Sequence, residues 1–295
     1  MTGLAPLGST LRILRPHPNV YAFYDGRIDG VRAYSTEPNW LDDGAYALGI
    51  ASFAVVDGHE ALIYDTHISL THARAIRRAL EEAGVTSMRV LLSHWHDDHV
   101  AGNEVFADCE IIAHALTAAA LIAHKDELEH GTPPIHPLIM PHLTYEGPLD
   151  LTVGRLEVEL RPAEIHSHDG VLLGLPDQGV LLVGDTLEDT VTYVAEPDRL
   201  EVHLAELDRV ASWGYRRLLP NHGDPGIMAS GGYGPELITA TKLYVEKLIR
   251  ARTDDALAGQ DLKTFAAEAL ATGGVHYFAP YEEVHARNLK VVRGD

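Results

Sequence analysis

The run His94-Trp95-His96-Asp97-Asp98-His99 constrains this chain more than any other stretch of its 295 residues. It gathers three imidazoles and two carboxylates immediately after an apolar segment, 88–93, that reads as a strand. On a loop leaving a strand, alternate residues can turn toward one point while those between face away. His94 and His96 can then hold one cation, and Asp98 with His99 a second. A solvated polar loop would not require this order of residue types.

Three later segments repeat the logic of a ligand-type side chain placed beside a strand. His166-Ser167-His168-Asp169-Gly170 precedes a strand expected at 171–175, Gly184-Asp185 follows one at 180–183, and Asn221-His222-Gly223 ends a short one at 217–220. Each is weak alone, because isolated histidines after strands more often serve structure than ligation. On successive strands they add up to a complete donor set. Imidazole and carboxylate donors suit Zn²⁺, and they exclude neither Fe nor Mn.

The remaining pattern is that of an α/β chain. Residues 45–66 read as two strands joined at Asp57-Gly58, a dipeptide suited to a tight hairpin. Ala73, Ile76, Leu80 and Ala83 recur at helical spacing and Gly84 can stop that helix. A strand is expected at 110–113 and a helix at 115–129, followed by a proline-rich stretch with the character of a flap. Strands return at 149–153 and 156–160, which implies a second sheet. Leu200, Leu204, Leu207 and Ala211 mark one late helix, and Leu237, Tyr244 and Leu248 another. One domain over 1–295 is expected, with a flap or insertion at about 115–148 and a helical region at about 234–295. Ile135, Leu138, Ile139 and Met140 in the flap need a surface to rest on, either a substrate at the metal edge or the partner of a homodimer.

Composition narrows the function. A formal charge of −20 with neutral histidines would repel a phosphate backbone, so nucleic acid is not the expected partner and a small-molecule substrate is. No apolar run approaches the length of a membrane span, and the first residues lack a basic region followed by an apolar core. Cys109 is the single cysteine, which excludes an internal disulfide and a cysteine-based zinc cluster and fits a reducing cytoplasm.

The spacing H-x-H-x-D-H, followed by a lone His, a Gly-Asp and a final His-Gly, resembles the metallo-β-lactamase superfamily. The resemblance runs from His94 to Gly223. It implies an αββα sandwich of two mixed β-sheets flanked by helices, with metals at one edge between the sheets. Carried over residue by residue, it gives His94, His96 and His166 to one metal, Asp98, His99 and His222 to the other, and Asp185 to both as a bridge. It also favours His166 over its neighbour His168. Two Zn²⁺ ions and a hydroxide between them would make a hydrolase that needs no serine or cysteine nucleophile, with Asp98 orienting the hydroxide and relaying a proton.

The branch is harder to read. The lysine that anchors a substrate carboxylate in one major class of metallo-β-lactamases is replaced by Glu188, and the tyrosine common there in acyl-homoserine lactonases is also missing. The Gly-Cys-Gly-Arg segment of glyoxalase II has no counterpart. The expectation is cleavage of an ester, lactone, thioester or amide. A mononuclear iron persulfide dioxygenase of the same fold is the competing class. Tyr193, beyond Asp185, is a candidate hydroxyl donor to the reacting carbonyl, or else packs against the helix expected after Arg199.

Overall fold

A computed structural model describes residues 4–294 and builds two sheets, face to face, with helices on both outer surfaces. The first sheet follows chain order: β1 (Arg12–His17), β2 (Val20–Asp25), β3 (Ile50–Asp57), β4 (Glu60–Tyr64), β5 (Ser87–Leu91), β6 (Glu110–His114) and β7 (Leu143–Tyr145). Its first four strands are antiparallel neighbours, and β4 through β7 run parallel. The second sheet contains β8 (Leu149–Val153), β9 (Leu156–Pro162), β10 (Val171–Leu175), β11 (Val180–Gly184) and β12 (Arg217–Pro220), antiparallel except for the pair β11 and β12. This is the αββα sandwich of two mixed sheets.

Alternation along the strands explains the layers. In β3, Ala51, Phe53 and Val55 face the second sheet, where Val158, Leu173 and Leu182 meet them, while Ala54 between them faces the outer helix Leu70–Glu82. On the opposite outer surface, Leu172, Leu181 and Leu218 of the second sheet pack under the helices Leu200–Ser212, Glu236–Ala251 and Tyr281–Arg293. The first of these helices buries Leu200, His203, Leu207 and Val210, so its inner face is rotated from the expected one and Ala211 is exposed. Two phenols tie the sheets together near one edge. Tyr64 donates to the carbonyl of Val171 at 2.5 Å, and Tyr24 to that of Gly223 at 2.9 Å.

Several expectations change. The segment 45–66 does hold a hairpin that turns at Gly58, but its first strand begins at Ile50, because Trp40–Tyr46 forms a π-helix. An N-terminal hairpin, β1 and β2, extends the first sheet where no element was expected. The helix expected over 115–129 is broken at His124 into Ala115–Ala123 and Lys125–His130.

The proline-rich stretch behaves differently from a flap of substrate contacts. Its end forms β7, which pairs with β6, and Ile135 and Leu138 are buried with Ile111, Leu121 and Leu128 while Ile139 and Met140 pack against the same cluster. Their apolar surface is satisfied by the body of the protein. No helix among the described residues is long and apolar enough to cross a membrane.

Leu138→Ala should therefore lower the free energy of unfolding by about 2–5 kcal/mol, the usual cost of truncating a packed leucine. Urea unfolding followed by circular dichroism measures it. A change below about 0.5 kcal/mol, the range of ordinary surface substitutions, would mean that this segment lies on the surface.

Candidate metal centre

Strand register brings the ligand-type residues to one edge. Tyr64 of β4 and Leu91 of β5 are parallel partners, so Asp65 and the Ser93-His94 pair leave the first sheet side by side. Gly184 of β11 and Pro220 of β12 are also partners, which sets Asp185 beside Asn221 and His222 on the second sheet. His166 lies on the connection from β9 to β10. The stretch from His94 is only partly a loop. His96 caps a short helical turn, Asp97–Val100, and successive residues on that turn aim Asp98 and His99 at the same centre.

Two clusters result, sharing Asp185: one of His94, His96, His166 and Asp185, the other of Asp98, His99, Asp185 and His222. In the first, His96 Nδ1 lies 2.9 Å from His94 Nε2 and 3.0 Å from His166 Nε2. Asp185 Oδ2 stands 3.7 Å from His94 Nε2 and 3.8 Å from His166 Nε2. In the second, the same oxygen is 3.1 Å from His99 Nε2 and 3.3 Å from His222 Nε2, and Asp98 reaches those two nitrogens at 3.3 and 3.2 Å. All seven residues singled out in the sequence meet here. His168 does not. It is exposed and paired with Glu196 at 2.7 Å.

Hydrogen bonds on the far sides of the rings decide which nitrogens carry protons. His166 donates from Nδ1 to the carbonyl of Tyr193 at 3.0 Å, and His222 from Nδ1 to that of Gly49 at 2.7 Å. Ser93 gives its hydroxyl proton to Asp65, so it accepts from His94 Nδ1 at 2.9 Å. His99 Nδ1 faces Asp65 Oδ2 at 2.8 Å. In the neutral form of each ring the inward Nε2 then carries the lone pair.

Burial sets the protonation of the first cluster. It lowers the pKa of His96 to about 3, with repulsion from His166 adding, and it lowers His94 and His166 as well. In the second cluster burial also opposes charge on His99 and His222, but nearby Asp185 and Asp98 outweigh it and raise both rings. The same pairing overcomes burial at Asp185, whose pKa falls well below the carboxylate range.

These observations fit a metal. Neighbouring donors around a tetrahedral ion with bonds of about 2.0–2.1 Å stand about 3.3 Å apart, close to the separations found here. Asp185 Oδ1 is buried without a hydrogen-bond partner, on the one carboxylate that faces both clusters.

Several contributors went unnoticed in the sequence. Asp65 is fully buried, with φ +67°, and accepts from Ser93 N at 2.7 Å, Ser93 Oγ at 2.7 Å, His99 Nδ1 at 2.8 Å and Asn221 Nδ2 at 2.7 Å. A carboxylate just past an apolar strand was its only signal, the same signal that marked Asp185. Gly49, at φ +77°, has no room for a side chain, since a Cβ would meet Tyr24 Oη at 1.9 Å; the close approach lets its carbonyl hold His222. Glu188, read in the sequence only as the residue that stands in place of an anchoring lysine, is buried, accepts from Tyr193 N at 2.7 Å and Tyr281 Oη at 3.1 Å, and is pushed by burial to a pKa of about 8.

A cleft of about 840 Å³ opens over the clusters. Trp40, Trp95, Leu48 and Val284 give it apolar walls, and Glu127, Leu128 and Gly131 are what the 115–148 region contributes. Tyr193 lines it as well, its ring 6.0 Å from that of His166.

Fold and donor set together define a metal-binding αββα sandwich. The chain belongs to the metallo-beta-lactamase superfamily, whose sequence profile it matches over residues 45–222, more than half its length. Solved structures of similar fold include the DIM-1 metallo-beta-lactamase exposed to ceftazidime, at 22% identity and TM-score 0.61 over 80% of this chain and 96% of that one. VMB-1 at pH 5.5 is similar at 16% identity and TM-score 0.60, covering 79% and 94%. A metallo-beta-lactamase from Pontibacter korlensis is similar at 16% identity and TM-score 0.57, covering 78% and 99%. Superfamily and donor set support divalent metal binding and, at the level of the superfamily, metal-dependent hydrolysis.

Asp65→Asn should weaken metal binding about 10- to 100-fold, the usual effect of losing a partner that orients ligands. Competition with a chromophoric chelator measures it. Unchanged affinity in a folded variant would deny Asp65 that role.

Proposed function

We propose that this protein is a two-metal hydrolase, with zinc the expected ion, that cleaves an ester, lactone, thioester or amide bond in a small molecule. The observation that carries the reading is Asp185, whose Oδ2 faces four imidazoles of two clusters while its buried Oδ1 has no partner. Bound there, two divalent cations would acidify a water molecule and polarise a carbonyl group. Asp98 sits between His99 and His222 with its side chain open to the cleft, positioned to accept the proton of an attacking water. The second cluster has no task in a mononuclear iron dioxygenase, which favours hydrolysis over that alternative. Within the hydrolase reading, the Tyr193 hydroxyl is proposed as a donor to the carbonyl oxygen of the substrate.

Metal-replete protein should contain about two zinc ions per chain by elemental analysis, and His94→Ala or His222→Ala about one each. A screen over lactones, thioesters and β-lactams should find turnover that a chelator abolishes and zinc restores. Wild-type protein that holds only one metal under replete conditions would refute the two-metal reading. Tyr193→Phe leaves the backbone bond to His166 intact and should lower turnover about 10²- to 10³-fold without loss of metal. Unchanged turnover would remove the hydroxyl from the mechanism.

A further inference from the structure

Among the described residues Arg287 is the one basic side chain, apart from the imidazoles, that lines the cleft. It belongs to the helix Tyr281–Arg293, beyond the segment that matches the superfamily. Its guanidinium carbon lies 3.8 Å over the ring of Tyr193, and one amino group donates to the carbonyl of Val194 at 2.8 Å. No carboxylate pairs with it among the described residues. Two of the acids lining the cleft have partners of their own: Asp43 binds Arg32, and Glu127 binds His124 at 2.8 Å.

The loop beneath Arg287 does not need that charge to hold its shape. Asn288, fully buried on the same helix, accepts from Val194 N at 2.9 Å and donates to Thr192 O at 2.8 Å, and Glu188 holds Tyr193 N. Contact with the Tyr193 ring holds the guanidinium at the cleft wall, with no carboxylate on its donors among the described residues. Tyr193 in turn touches His166, so a single aromatic ring separates the cation from the metal centre.

We propose that Arg287 is the anion anchor of the cleft. Its ligand carries a carboxylate at one end and an apolar or aromatic body that rests on Trp40, Trp95 and Val284. Under the hydrolase reading, on which the identity of the reaction rests, the scissile bond then lies over Asp185 and the carboxylate is distal to it. Arginine is the natural residue for this task, since its planar donors match a carboxylate in two parallel hydrogen bonds.

The test is binding, which needs no turnover. Phenylacetate and its uncharged amide are titrated against the purified protein, with the change in intrinsic tryptophan fluorescence as readout. Wild-type protein should prefer the acid. In Arg287→Met the affinity for the acid should fall about 10- to 100-fold while that for the amide stays unchanged, the range expected for a hydrogen bond to a charged group. Arg287→Lys should lie between them. A wild-type protein without preference for the acid overturns the assignment, as does an equal loss of both ligands in Arg287→Met, which would make Arg287 a support of the loop. Failure of every lactone, thioester and β-lactam in the hydrolysis screen would remove the hydrolase reading and leave this comparison standing.

Discussion

A single buried carboxylate, Asp65, organises the open edge of the sandwich. It ends β4, receives both the amide and the hydroxyl of Ser93 from the neighbouring β5, takes the outer nitrogen of His99 and is held from the other sheet by Asn221. A charge so deep inside costs several kcal/mol unless its lone pairs are filled, and four donors fill them. Those donors come from three parts of the chain, so the carboxylate fixes where the parts meet. Its left-handed backbone is tolerated because these bonds over-determine it. The inward lone pairs of His94 and His99 are consequences, since each ring is turned by a bond that leads back to Asp65.

What this edge presents inward is a surplus of electron pairs. Imidazole nitrogens drawn to within 2.9–3.0 Å of one another, next to a carboxylate oxygen without a partner, form an arrangement that suits a cation. The protein thus holds its donors in place through bonds on their far sides. Tyr64 and Tyr24, which cross between the sheets near this edge, keep the two halves of the donor set at a fixed spacing.

Much of this was legible in the sequence because it depends on local order. The run from His94 to His99, and a ligand-type residue beside each of three later strands, exposed all seven donors, and parallel strand pairing gathered most of them at one edge. Several strands were legible too, since short apolar runs such as those at 171–175 and 180–183 mark strands packed on both faces. Other features were hidden for physical reasons. Asp65 gives no periodic signal, and its role exists only once β4, β5 and β12 lie together. The π-helix at Trp40–Tyr46 is seven residues long and holds two aspartates and a glycine, a composition that suits a turn as well as a helix. Ile135 and Leu138 looked exposed because prolines surround them, yet they complete the core beneath the helix Ala115–Ala123. Arg287 carries no motif at all. Its meaning comes from a helix folding back across the cleft.

This division has a consequence for specificity. The donors come from the superfamily segment, whereas Trp40 precedes it and Val284 and Arg287 follow it. Part of the cleft is therefore built by residues outside the matched segment, and fold similarity alone does not name the substrate. Anomalous diffraction collected at the zinc absorption edge tests the two-metal centre most directly. Two peaks per chain should appear, one among His94, His96 and His166 and the other among Asp98, His99 and His222, with Asp185 reaching both. A single peak, or two peaks that leave Asp185 without a metal, would contradict it.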